Sequence, residues 1–171
     1  MNYFLDRAAR LALAAFFATA PLTASAADMT IVAGQRIGAA AFGMSSQQLV
    51  AALGTPQGKI HISDGWLLVF DDTRVVLAED GHVIRIETEN PGFKTADGFG
   101  VGSTEKDIAA KLGAPAKAAD IKTSADNLQF PIGHRICYEP GLVFVTEFVP
   151  RQPHTVTRTI LREGGCAHAF D

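Results

Sequence analysis

Two stretches decide how this chain is read: Gly43-Met-Ser-Ser-Gln-Gln-Leu-Val-Ala-Ala-Leu-Gly-Thr-Pro56 and Gly102-Ser-Thr-Glu-Lys-Asp-Ile-Ala-Ala-Lys-Leu-Gly-Ala-Pro115. They align without gaps at an offset of 102 − 43 = 59 residues. Each position has a physical role in a short helix. Ser45 and Thr104 are N-cap residues, whose side-chain oxygens accept from free backbone N–H groups. Gln48 and Asp107 stand three residues on, where a side chain can reach back as in a capping box. Leu49 with Leu53, and Ile108 with Leu112, give each helix one apolar stripe. Gly54 and Gly113 suit a left-handed helix end, and Pro56 and Pro115 prevent continuation.

Working outward, the period after each helix changes to that of strands. Lys59–Ile62, Trp66–Phe70, Thr73–Ala78 and His82–Glu87 are short and rich in β-branched or aromatic residues. Asp64-Gly65, Asp71-Asp72 and Asp80-Gly81 separate them, and Asp-Gly favours tight hairpins. The second set is Ala116–Ile121, His134–Tyr138, Leu142–Phe148 and Thr155–Leu161, with Lys122–Leu128 expected as a longer polar loop. The expected fold is α+β: two tandem helix–four-stranded antiparallel meander repeats forming one extended curved sheet. The repeats cover residues 27–90 and 91–171, with Asn90-Pro91-Gly92 as the boundary.

The start of the chain reads as an export signal over residues 1–26. Arg7 and Arg10 precede an apolar run, Leu11–Ala20. Pro21 ends it, and Ala24-Ser25-Ala26 supplies the small residues a signal peptidase needs. The run is short of the roughly 20 residues a bilayer span requires. Cleavage near Ala26 leaves 171 − 26 = 145 residues. It also removes Asp6, Arg7 and Arg10, which moves the formal charge from −3 to −4. The expected location is periplasmic or secreted, with no membrane span and no lipid anchor. A mildly acidic, mixed-charge chain has no broad attraction to nucleic acid.

Cys137 and Cys166 are the two cysteines, and an even pair in an oxidising compartment is most simply a disulfide. Cys137, Cys166 and His168 lack the spacing of a zinc site, so neither metal nor cofactor is expected. The five histidines, His61, His82, His134, His154 and His168, show no helical ligand spacing and read as surface residues. Gly98-Phe-Gly-Val-Gly102-Ser103-Thr104 is a helix entry turn rather than a phosphate loop, which needs Lys after its last Gly. Asp71-Asp72 and Glu79-Asp80 sit at hairpin turns, where Asp bonds its own backbone. No nucleophile elbow occurs. The chain is therefore expected to be non-catalytic.

The tandem helix-and-meander pattern resembles the β-lactamase inhibitor protein fold. A single unit resembles the SmpA/OmlA (BamE) outer-membrane assembly proteins. The resemblance rests on the two 14-residue segments quoted above and implies protein–protein binding without catalysis, across a curved sheet or its loops. The chain departs from the assembly lipoproteins in lacking a lipidated Cys. It departs from the inhibitors in having one cysteine pair rather than one in each half. The expected partner is another envelope or extracellular protein, with an inhibitor or an assembly factor as the role. By alternation, Trp66, Leu68 and Phe70 share one strand face and Leu142, Phe144 and Phe148 another. These six are the candidate partner-binding residues, and burial within the chain is the competing reading. The alternative function is a small-ligand-binding protein or hydrolase with a pocket between the repeats, drawing on His61, His134 and the Lys122–Leu128 loop.

Overall fold

The structure is a computed structural model that describes residues 28–125 and 128–170. The proposed signal, residues 1–26, lies outside the described residues. The described residues are mixed α+β and mostly sheet, with two α-helices.

The N-terminal segment forms β1 (Thr30–Val32), β2 (Arg36–Ile37) and β3 (Ala40–Ala41), followed by helix α1 (Ser46–Leu53). A meander comes next: β4 (Gly58–Ile62), β5 (Gly65–Val69), β6 (Thr73–Leu77) and β7 (Val83–Thr88). Short strand β8 (Lys94–Thr95) leads to α2 (Glu105–Leu112). The second meander is β9 (Lys117–Ala125), β10 (Leu128–Tyr138), β11 (Leu142–Glu147) and β12 (Thr155–Arg162), closed by a 3-10 turn at Gly165–His168.

The two meanders join into one eight-stranded antiparallel sheet in the order β4-β5-β6-β7-β12-β11-β10-β9. The seam is β7 against β12, with Thr88 opposite Thr159 and Ile86 opposite Leu161. A second, four-stranded sheet has the order β3-β2-β1-β8, in which β8 pairs parallel with β1.

Both helices start where the sequence places them. In α1, the Ser45 hydroxyl accepts from the Gln48 N–H and Gln48 Oε1 accepts from the Ser45 N–H, completing a capping box. In α2, Thr104 accepts from the Asp107 N–H. The shorter Asp107 carboxylate then accepts from the Thr104 hydroxyl at 2.7 Å instead of reaching the backbone. The helix ends differ from expectation. Gly54 and Gly113 have positive φ (84° and 81°), but ψ is extended (−169° and −157°), so neither is in the left-handed helical region. That conformation is open essentially to glycine alone.

At eight residues the helices are too short to be stable in isolation. Each is held by one fully buried apolar residue, Leu49 or Ile108. These join one core with Ile31, Ile37 and Phe93 from the N-terminal and linking segments. From the large sheet the core takes Leu68, Val75, Ile86, Phe144 and Leu161. The residues after Asn90 therefore help cover the core.

Two expectations are corrected. The stretch expected as a loop, 122–128, is largely strand: β9 and β10 continue as an antiparallel pair, with Lys122 opposite Pro131 and Thr123 opposite Phe130. Polar β-branched residues sustain a ladder as well as apolar ones when both faces are wet. The small sheet was not anticipated, because strands of two or three residues carry no readable period.

The opposite face of the large sheet is covered at one end by the C-terminal turn. Cys137 bonds Cys166 in a disulfide, and Val143, Ile160, Ala169 and Phe170 pack around it. At the seam the face carries charge. Arg85 and Arg162 stand directly opposite each other on β7 and β12. Asp64 Oδ2 lies 3.0 Å from Arg85 Nη1 and 3.4 Å from Arg162 Nη1. Glu89 Oε1 is 2.8 Å from Arg74 and 2.9 Å from Arg158. Arg85 Nε lies 2.9 Å from Glu87 as an ion pair without hydrogen-bond geometry.

Candidate functional site

Four of the six residues proposed for partner binding are core. Leu68, Phe70, Leu142 and Phe144 are 1, 5, 4 and 0 % exposed. Their strand faces are those that the helices and the small sheet cover, so the aromatics that looked like a contact surface are the internal packing. Trp66 is half-buried at the core's margin. Lys59 Nζ sits 4.2 Å from its ring centroid, and the His61 ring meets it edge-on at 4.8 Å. Phe148 alone of the six is well exposed, at 40 %.

Phe148 lies near three further exposed apolar residues that the sequence did not single out. Pairing of β10 with β11 stops at Gly133 opposite Glu147, whereas β9 and β10 continue together beyond it. Among the described residues, the far part of this hairpin is therefore an arm that pairs with no third strand beyond Ile132. Phe130 and Ile132 lie on it, exposed at 47 and 45 %. The Phe148 N–H donates to the Ile132 carbonyl at 2.8 Å, setting Phe148 and the exposed Val149 beside the arm. Gly133 shapes the junction: a methyl group there would overlap the Thr146 carbonyl oxygen. The ladder shifts register between Pro131 and Gly133.

Next to Phe148 the fold gathers two histidines and a carboxylate. Glu105 is the first residue of α2, and its N–H donates to the His154 carbonyl at 2.9 Å. Backbone bonds from Gly102 N–H to Val156 and from Val156 N–H to Ser103 fasten the start of the helix to the start of β12. His134 comes from β10, two strands away, level with Thr146 of the intervening β11. Glu105 Oε2 lies 3.1 Å from His134 Nδ1 and 3.4 Å from His154 Nδ1. One ligand atom from each of the three falls within 4.8 Å of the others. His134 Nε2 faces Asp120 Oδ1 at 3.4 Å. The Phe148 ring packs edge-on against His154 at 4.1 Å and His134 at 5.2 Å. All three residues are half-buried. The arrangement can share a proton or hold a cation. Sequence spacing hid it, since the members stand 29 and 154 − 134 = 20 positions apart.

The other histidines are placed separately. His61 Nε2 is 2.8 Å from Glu79, and His82 pairs with Asp80 and lies 3.6 Å from Glu163. His61 and His134, which the hydrolase reading would combine, stand on the first and seventh strands of the sheet order. A common pocket does not contain them.

Two clefts add to the surface. One, of about 580 Å³ and mainly apolar, lies between the small sheet and the end of α2, with Ile31, Ala33, Leu112, Ala114, Tyr138 and Leu142 in its wall. Burial, with a smaller contribution from the charge of Glu105, raises the Tyr138 phenol above its ordinary range. The other, of about 400 Å³, is polar and lies by the Asp71-Asp72 turn.

No protein-family model matches the chain, and no curated protein matches its sequence. Two solved structures are similar in fold. An uncharacterized Escherichia coli protein, YfeY, has a TM-score of 0.49 and 14 % identity, covering 78 % of this chain and 98 % of its own. A DUF4309 family protein (YjgB) from Bacillus subtilis subsp. subtilis str. 168 has a TM-score of 0.45 and 13 % identity, covering 76 % and 88 %. At these values neither bears on function.

Proposed function

We propose that this chain is an exported, non-catalytic protein-binding module that engages another envelope or extracellular protein, as an inhibitor or an assembly factor. The single observation that carries the reading is the set of exposed apolar residues Phe130, Ile132, Phe148 and Val149, on and beside a hairpin arm that pairs with no third strand among the described residues. Contiguous exposed aromatic and aliphatic side chains favour association, because burying them removes apolar surface from water. A tandem duplication and kinship with the β-lactamase inhibitor protein and BamE folds belong to the same proposal. Supporting the duplication, α1 and α2 are offset at both ends by 59 residues (105 − 46 and 112 − 53), and the strand order mirrors itself about the β7–β12 seam.

The test is capture from envelope extracts, using protein recovered from the periplasmic fraction as bait. A specific partner is expected, and Phe148→Ala with Ile132→Ala is expected to weaken it at least tenfold. The control Val50→Ala, exposed on α1, leaves binding unchanged. Capture unaffected by the arm variants, or bait that remains cytoplasmic with residues 1–26 attached, overturns the reading. The apolar cleft favours a second reading, a small apolar ligand, which native mass spectrometry of the same bait would reveal as a retained mass.

A further inference from the structure

We propose that Glu105, His134 and His154 bind a divalent transition-metal ion of the zinc class. The first argument is the spacing of the donors. In a tetrahedral site with bonds of about 2.0–2.1 Å, neighbouring ligand atoms are roughly 3.3–3.4 Å apart. Glu105 Oε2 stands 3.1 and 3.4 Å from the two imidazole Nδ1 atoms. The third edge lies within 4.8 Å, so rotation of an imidazole would close it.

The second argument is the orientation of His134. Its Nδ1 faces Glu105 Oε2 at 3.1 Å, and its Nε2 lies at an ion-pair distance of 3.4 Å from Asp120 Oδ1. Without metal, a hydrogen on Nδ1 donates to Glu105. A divalent cation would take the place of that proton between Nδ1 and Oε2, leaving the ring hydrogen on Nε2, on the side of Asp120. Metal-ligating histidines commonly donate their other ring N–H to a carboxylate, which fixes the ring and strengthens the ligating nitrogen. Asp120 is placed for that role. The competing resolution is a metal-free Nδ1–H···Glu105 hydrogen bond.

The third argument is rigidity. Glu105 and His154 are fixed to each other by the backbone bond between them, and the Phe148 ring restricts both imidazoles. With two of the donors on backbone already tied together, less conformational entropy is lost on taking up an ion. Two nitrogens and one carboxylate oxygen match zinc-class ions, which favour imidazole, rather than magnesium or calcium, which favour oxygen. Three protein ligands also leave a coordination position for water or a partner's side chain.

The test uses the protein purified without a histidine tag and stripped by chelator. Calorimetric titration with Zn²⁺ alone is expected to show one ion per chain, and unfolding is expected to shift to higher temperature. His154→Ala and Glu105→Gln should each lower affinity about a hundredfold or more, and Asp120→Asn about 10–100-fold. His61→Ala should change nothing. With Co²⁺ as the probe, intense visible absorption of tetrahedral type is expected, and its loss in His154→Ala. Circular dichroism and an intact disulfide establish that each variant is folded. His154→Gln provides a gentler variant if the alanine form fails to fold. No saturable one-to-one binding in the micromolar range overturns the proposal. So does binding that survives loss of His154, or binding abolished equally by His61→Ala. None of these outcomes depends on whether the hairpin arm captures a protein.

Discussion

Two threonines in the core show how single residues tune this fold. Thr146 and Thr159 are completely buried, and neither hydroxyl has a hydrogen-bond partner among the described residues. An unsatisfied buried hydroxyl costs about 1–3 kcal/mol, and valine has nearly the same shape. Thr159→Val is therefore expected to stabilise the protein by about 1 kcal/mol, measured as a higher urea midpoint at constant slope. A lower midpoint would mean that the hydroxyl is satisfied after all. At this scale the sequence was legible wherever the physics is local. The caps Ser45 and Thr104 read correctly because each acts on its own neighbours; Gly54 and Gly113 end the helices where expected, but with extended ψ rather than the left-handed helical conformation. Leu68 and Phe144 were misplaced as contact residues because alternation separates two faces without telling which one the helices cover. Nothing in a strand's own period carries that information.

At the scale of elements, the seam between β7 and β12 depends on charge as well as ladder bonds. Arg85 and Arg162 face each other across it, and Asp64 accepts from both. The Ser63 hydroxyl, followed by these two guanidinium groups, holds the Asp64 carboxyl below its ordinary range. Glu89 is held low chiefly by its hydrogen bond from Arg74, then by the charges of Arg74 and Arg158. A carboxyl whose value is depressed on folding adds stability above its unfolded value, and that stability is lost as pH falls through the folded one. The contribution of Glu89 is thus complete above about pH 4.5, its ordinary value, and disappears below it. Urea midpoints should fall more steeply below pH 4.5 in the wild type than in Glu89→Gln. The variant should also be the less stable of the two at pH 7. Equal acid limbs would show that these pairs are too well solvated to matter. The hairpins were legible from Asp64-Gly65 and its like. The histidine cluster was not, although one clue existed: His134 and His154 border strands of the same direction on either side of β11, which brings them to the same end of the sheet.

For the whole molecule, the disulfide fastens the C-terminal turn to the sheet. Cys137 and Cys166 are 29 positions apart, and closing that loop restricts the unfolded chain by about 3–4 kcal/mol. Cys137→Ala with Cys166→Ala should lower unfolding free energy by about that amount, read against the oxidised protein in urea. An unchanged midpoint would mean that the surrounding packing at Val143, Ile160 and Ala169 suffices. The cysteine pairing was readable from parity and the expected compartment. The single core shared by both meanders was not, because it depends on β1 meeting β8 and on β7 meeting β12, contacts no local pattern encodes.

The β7–β12 seam also orders events in time. Thr88 pairs with Thr73 on one side, but its other partner, Thr159 of β12, comes 159 − 88 = 71 positions later. Until that strand emerges, a nascent polypeptide presents β7 as a bare edge, open to any other extended segment nearby. Synthesis must therefore pass β12 before the first meander is sealed. During that interval the growing chain is most vulnerable to aggregation and proteases, and most dependent on whatever shields it.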